Sequence, residues 1–457
     1  MRATETLYTA DWVLPISGPP IEQGAVLVRG DRLAWVGAAA DAGAHSSSTT
    51  PVHPLGACVL MPGLVNAHSH LELTGLRGFL EGLDFREWLR TLTVVRRDVL
   101  SDGDLLDASR AGIAEALRHG ITTLADCTDS AMPLTAMREM GVRGIGYVEV
   151  FGPDPLQCSE AFTRLQQRVS ALRRLDTTLV RTGVSPHAPY TVSAPLFRAT
   201  AEFARAEALP MAVHVAESAA ETAFVRDGAG PFAERLRERG IAVAAQARSP
   251  MALLEETGVL AAQPLLIHVV RANDDDLARV AHHGATIVHC PVSNAKLGHG
   301  MAPLDRMLAT GIAIGLGSDS VASNDRMHLL DEARMATLLH AVRSGHPDSL
   351  TAHEALVLAT HGGARALGLG DEIGTLETGK AADLVAFSVQ ESTVQPVHDP
   401  AVTLVHALAG GAVASMVMVA GQLLVQGSVL CHPTADVDGR QRVTGARLRQ
   451  WRRHSPS

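Results

Sequence analysis

A (β/α)8 barrel is the fold that this sequence predicts, and three observations carry it. Eight short apolar runs, at 63–67, 121–125, 142–150, 179–184, 211–215, 265–269, 285–290 and 312–316, recur between residue 61 and about residue 370. Intervening segments such as 104–119, 194–207 and 351–367 are rich in alanine, leucine and arginine, which favour helix. Several runs end in histidine or aspartate, and the C-terminal strand ends are where such a barrel holds its active site.

The first run ends in His68-Ser69-His70. A strand places residues i and i+2 on one face, so the two imidazoles emerge side by side, an arrangement suited to a divalent metal with nitrogen ligands. In a chain with 21 histidines this pair alone decides little. Three further runs end in polar residues of the same kind: His214-Val-Ala-Glu217, His268 within Leu266-Ile-His-Val269, and Gly317-Ser-Asp319.

Taken in order with Pro62-Gly63, these motifs resemble those of the amidohydrolase superfamily, in its deaminase-like branch, over nearly the whole chain. The resemblance implies that His68, His70, His214 and Asp319 hold one divalent metal, zinc or else iron. Three neutral imidazoles and a carboxylate leave a position for water, as at catalytic rather than structural zinc. Two-metal relatives bridge their ions with a lysine at the end of strand four. This chain has only Lys296 and Lys380, neither of them there, so one metal is expected.

The resemblance also assigns roles around that metal. Glu217 is expected to carry a proton to a ring nitrogen of the substrate and to contact it. For this the chain must turn directly after His214, since three residues along a strict strand would face the other way. A carboxylate in a closed pocket can carry this proton if burial raises its pKa toward working pH. His268 is expected to orient the attacking water with Asp319. His289, at the end of the seventh run, reads as structural.

Two wall residues follow. Glu87, in Asp84-Phe-Arg-Glu-Trp-Leu89, is either the acid that holds a ribose hydroxyl pair or a helix N-terminal acid stabilised by the dipole. His187, in Ser185-Pro-His-Ala-Pro-Tyr190, matches a substrate-contacting histidine. Arg77 and Arg143 are weaker candidates for meeting an anionic substrate group.

Composition sets the outer limits. The 457 residues, 46% hydrophobic and 19% charged, supply a large core, and a net charge of −9 argues against nucleic acid as partner. Five scattered cysteines without a Cys-x-x-Cys pair suggest a reducing, cytoplasmic setting. The stretch 401–433 lacks Asp, Glu, Lys and Arg, but its glycines and polar residues suit strands around a turn better than a membrane helix. No membrane partner is expected, and a homodimer is left open.

Outside the barrel, residues 1–60 contain two strands around Gly30-Asp31, and residues 371–435 form a second strand-rich piece. The resemblance implies that the two join as a small β-sandwich. Residues 436–457 are a basic tail, read as a solvated helix or frayed end.

The reaction implied is hydrolytic deamination of an N-heteroaromatic, purine nucleoside-like substrate. Ser185-Pro-His-Ala-Pro-Tyr-Thr-Val-Ser193 and Gly317-Ser-Asp-Ser-Val-Ala-Ser323 look most like aminodeoxyfutalosine deaminases of menaquinone biosynthesis. Guanine, adenosine and S-adenosylhomocysteine deaminases share much of this, as do triazine chlorohydrolases. A non-catalytic scaffold is disfavoured, because every implied metal ligand is retained.

Overall fold

The computed structural model describes residues 5–432 and 436–454, so the expected boundary at residue 435 falls partly outside them. Five strands open the chain: β1 (Glu5–Val13), β2 (Ile21–Arg29), β3 (Arg32–Ala38), β4 (Val52–Pro54) and β5 (Cys58–Pro62). Eight parallel strands follow: β6 (Leu64–Ser69), β7 (Ile121–Thr128), β8 (Arg143–Val150), β9 (Val180–Pro186), β10 (Ala212–Val215), β11 (Leu265–His268), β12 (Thr286–His289) and β13 (Ile314–Leu316). Each overlaps one of the eight apolar runs. Strands β14 (Leu384–Ser388), β15 (Ala414–Val419), β16 (Gln422–Gln426) and β17 (Val429–Leu430) complete the set.

Strands β6 to β9 form one four-stranded parallel sheet and β10 to β13 another. Single parallel bridges span both seams, Val184 with Met211 and Ser69 with Asp319. The strand order is therefore the one a (β/α)8 barrel requires. Burial on both faces explains why these strands read as continuous apolar runs. Among the connecting helices, Asp102–Arg118 begins with a capping box between Ser101 and Asp104. The expected helix at 351–367 forms with a π-helical turn at Leu358–Gly362.

The two ends of the chain meet in one continuous nine-stranded sheet, where β14 pairs antiparallel with β5. One face of it gathers Tyr8, Val26, Leu60, Leu384 and Met418 into a cluster of their own. The alternate residues Val59, Phe387 and Val417 point into the main core, which fixes this sheet against the parallel strands. No helix among the described residues is long and apolar enough to cross a membrane, and the uncharged stretch ends in β15, β16 and β17.

The basic tail is a helix, Val437–His454, and it is docked rather than solvated all round. Leu448 is buried, Arg440 and Arg447 pair with Asp107 and Asp104, and the Arg452 guanidinium lies 4.0 Å above the Phe79 ring.

Candidate active site

Four strand ends converge on one buried cluster. His68 is the penultimate residue of β6 and His70 follows the strand, so both rings leave the same face, with centroids 4.9 Å apart. Their Nε2 atoms lie 3.2 and 3.6 Å from the same oxygen, Oδ1 of Asp319. His214, inside β10, closes the group, and one ring nitrogen from each of the three histidines falls within 4.8 Å of the others.

Local backbone geometry makes this convergence feasible. Asp319 follows β13 with φ at +57°, a left-handed conformation that turns its carboxylate back toward β6. Two residues earlier stands Gly317, where a Cβ would lie 2.9 Å from the Cβ of His68. Glycine is needed there for β13 to approach β6. The Asp319 backbone N–H donates to the His68 carbonyl at 3.0 Å, which locks the pair.

The outer contacts fix each ring and carboxylate. Asp319 Oδ2 accepts from the hydroxyls of Ser293 at 2.5 Å and Ser323 at 3.0 Å. His214 Nδ1 donates to the His187 carbonyl at 3.2 Å, leaving Nε2 as its free lone pair. His268 Nδ1 faces the Asn294 side-chain oxygen at 2.9 Å, leaving its Nε2 toward Glu217 Oε1 at 3.6 Å. Burial lowers the pKa of His68, His70, His214 and His268, so these imidazoles are neutral at pH 7, as metal ligation requires. Burial alone would raise Asp319, but His68, His268 and His70 together outweigh it and hold the carboxyl well below its ordinary value.

The turn demanded after His214 is present. Ala216 has φ at +52°, and the amides of Ala216 and Glu217 both donate to the Glu221 carboxylate, at 2.8 and 2.9 Å. Glu217 is thereby brought to the cluster, its Oε1 3.6 Å from His268 Nε2 and 3.2 Å from His299 Nε2. Burial pushes its pKa up, but His268 and His299 outweigh burial and leave it below the ordinary glutamate value.

Above this floor opens a cavity of about 1000 Å³, lined by His70, Glu87 and His187 among others. Glu87 is partly buried in the first turn of the helix Phe85–Asp98, so it is both a helix N-terminal acid and a cavity residue. His187 follows β9, with Nδ1 2.8 Å from the Thr191 hydroxyl and Nε2 4.0 Å from Glu149. Burial depresses its pKa to about 3. Arg77 and Arg143 lie elsewhere: Arg77 pairs with Glu115, and buried Arg143 at the start of β8 pairs with Asp383 and Glu372. His289 is buried outside the cluster.

Sequence reasoning missed His299, Glu221, Ser293, Asn294 and Glu149. The signal for Glu149 was a lone acid in an apolar strand. The signal for Ser293 and Asn294 was a polar pair directly after the seventh run. His299, between Gly298 and Gly300, offered none.

Residues 59–424 match the amidohydrolase family. The chain belongs to that family. Within it, a 5-methylthioadenosine/S-adenosylhomocysteine deaminase of Moorella thermoacetica is 33% identical over 421 residues, covering 91% of this chain and 93% of the relative. An adenosine deaminase of Xanthomonas campestris, solved with bound zinc, superposes with a TM-score of 0.84 at 29% identity, over 97% of this chain and 98% of the other. The zinc complex of an atrazine chlorohydrolase from Arthrobacter aurescens gives 0.81 at 25% identity, over 97% and 100%. This amidohydrolase thus resembles both deaminases and a halide-releasing hydrolase.

Proposed function

We propose that this amidohydrolase hydrolytically deaminates a purine nucleoside-like substrate, with 6-aminodeoxyfutalosine of menaquinone biosynthesis as the specific candidate. The observation that carries the reading is the Glu217 carboxylate, held 3.6 Å from His268 beside the His68–His70–His214–Asp319 cluster, whose member His70 lines a cavity with a polar wall. The similarity to deaminases of adenosine-type compounds supports the same substrate class. The free cysteines suit a reducing cytoplasm.

The cluster fits a single zinc ion. Nitrogen and oxygen ligands about 2.0–2.1 Å from a tetrahedral ion stand roughly 3.3 Å apart, and His68 Nε2 lies 3.2 Å from Asp319 Oδ1. His68, His70, His214 and Asp319 would hold it, and it would supply Lewis acidity and a lowered water pKa. His268 and Asp319 orient water and take its proton. Glu217 delivers a proton to the ring nitrogen next to the amine-bearing carbon. As water oxygen bonds to that carbon and the C–N bond breaks, the proton taken from water passes to the amine, which leaves as ammonia, and the new hydroxyl returns a proton to Glu217 as the ring carbonyl forms. His187 and Glu87 contact the substrate away from the reacting carbon.

The same reading takes the two parallel sheets as one closed barrel over residues 61–370, and the nine-stranded sheet as a sandwich built from residues 1–60 and 371–435. Chloride displacement from a triazine would use the same floor, and the chlorohydrolase similarity favours keeping it as the second reading. A compact triazine leaves Glu87 and His187 without partners, and an unpaired buried polar group costs about 1–3 kcal/mol. Ammonia and chloride release from aminodeoxyfutalosine, adenosine, S-adenosylhomocysteine, guanine and chlorotriazines tests the choice. Turnover of the nucleosides is expected; a chlorotriazine or free base as best substrate overturns the nucleoside reading.

A further inference from the structure

The metal-holding floor draws on the ends of β6, β10 and β13. Between β6 and β10, the ends of β7, β8 and β9 carry a second group of donors, of which Cys127 and Glu149 have no part in the deamination chemistry. Cys127 is the penultimate residue of β7, Glu149 the penultimate residue of β8, and His187 directly follows β9. Cys127 and Glu149 are buried. The Cys127 sulfur, a Glu149 carboxylate oxygen and a ring nitrogen of His214 all lie within 4.8 Å of one another.

The hydrogen bonds around His187 bring it into this group. The Thr191 hydroxyl donates to the Ala188 carbonyl at 3.1 Å, so it accepts from His187 Nδ1–H at 2.8 Å. The lone pair of His187 is therefore on Nε2. It faces Glu149 Oε1, a buried oxygen without a hydrogen-bond partner, at 4.0 Å. Two acceptors thus face each other across a gap too long for a hydrogen bond. The Cys127 thiol reaches the Ser185 hydroxyl only at 4.0 Å. A cation would satisfy all three donors together. His214 Nε2 belongs to the floor, and one lone pair serves one ion, so His187 is the third ligand.

We propose that Cys127, Glu149 and His187 form a second cation site, for a thiophilic divalent ion such as cadmium or excess zinc, and that filling it blocks the wall against substrate. Sulfur and imidazole ligands select such ions over magnesium and calcium. The 4.0 Å gap exceeds the roughly 3.3 Å that zinc sets between nitrogen and oxygen ligands, so the larger cadmium ion fits with the least movement. As sulfur binds the ion, its proton passes to solvent. With three protein ligands and a second dication nearby, this site is weaker than the floor. Purified protein therefore keeps one zinc and fills the second site only from excess metal. The cation site needs these residues alone; its effect on turnover rests on the deaminase reading, in which His187 contacts the substrate.

Full-length protein carrying one zinc per chain, dialysed against cadmium, should take up one cadmium per chain without losing zinc. A thiolate-to-cadmium charge-transfer absorbance should appear with it, and excess magnesium should not displace the ion. Cys127→Ser and Cys127→Ala should each weaken uptake by at least ~10-fold and abolish the absorbance, with zinc content and turnover retained. Cys158→Ser with Cys431→Ser should alter neither. Glu149→Gln, read by uptake alone, should weaken it similarly and decides the matter if the Cys127 variants fail to fold. In ammonia release from the best nucleoside substrate, saturating cadmium should raise the wild-type KM at least ~10-fold with kcat unchanged, and Cys127→Ser should resist it. Cadmium that merely replaces zinc ion for ion, absorbance that persists in Cys127→Ser, or a KM indifferent to bound cadmium overturns the proposal. If cadmium binds as expected and no nucleoside releases ammonia, the deaminase reading fails and the cation site stands.

Discussion

The floor and the wall of the cavity are built differently. At the floor nearly every polar group is tied: Asp319 is held by two hydroxyls, His214 by a carbonyl, His268 by Asn294 and the Glu217 turn by Glu221. On the wall, Glu149 is buried with Oε1 unpartnered, and the cavity-facing Nε2 of His187 has no partner closer than Glu149 at 4.0 Å. A preorganised floor stabilises charge at the reacting atoms without reorganising during the reaction. An unsatisfied wall gains its hydrogen bonds only when the correct substrate supplies them. Floor substitutions should therefore act on turnover for any substrate, and wall substitutions on the choice among substrates.

The largest effect is expected at Asp319. Asp319→Asn removes both a ligand charge and the proposed proton acceptor, so turnover should fall by about 10³–10⁴-fold. Elemental analysis should find one zinc per wild-type chain and clearly less in the variant. Two metals per chain, both needed for activity, would overturn the single-ion floor.

Next comes Glu217→Gln, which keeps size and removes the proton carrier. Turnover should drop by at least ~10²-fold on all substrates, with zinc content unchanged. Zinc loss here would mean that Glu217 belongs to the ligand set.

A wall substitution sharpens the contrast. The wild type is expected to favour aminodeoxyfutalosine over adenine or guanine by ~10²-fold in kcat/KM. Glu87→Ala should erode most of that ratio and leave zinc content intact. Equal losses on nucleoside and free base would make Glu87 a helix-capping acid alone.

The smallest effect concerns stability, at two buried histidines outside the proposed ligand set. Burial lowers His289 and His328 to about 3, from a reference of 6.5. Between those values the unfolded chain binds protons that the folded chain refuses, so stability falls as pH drops from about 6.5 toward 3. At pH 5 each should have lost about 2 kcal/mol. Urea unfolding at pH 7 and pH 5 checks this, and His328→Asn should flatten the slope. A midpoint independent of pH over that range would refute it.

The contrast between floor and wall also explains what the sequence could disclose. His68, His70, His214, His268 and Asp319 each end an apolar run, so the periodicity that announces a strand also marks its functional end. Groups that support them come from loops and short helices. His299 reaches Glu217 across 81 residues of intervening chain, and Glu221 acts by accepting two amides in a turn without periodic pattern. For Glu217 the sequence disclosed burial but not His268 and His299, the two imidazoles that face its carboxylate. The basic tail read as solvated because its partners, Asp104, Asp107 and Phe79, lie more than 300 residues upstream.

The sheet that unites the two ends of the chain has a consequence for biosynthesis. Strand β5 needs β14 along one whole edge, and more than 300 residues separate them. At about 5–20 residues per second, a ribosome takes roughly 15–65 s to deliver the missing strand. Throughout that interval Cys58–Pro62, wholly buried in the finished protein, presents an unpaired apolar edge. The nascent chain should therefore depend on chaperones at this strand until Leu384–Ser388 has emerged.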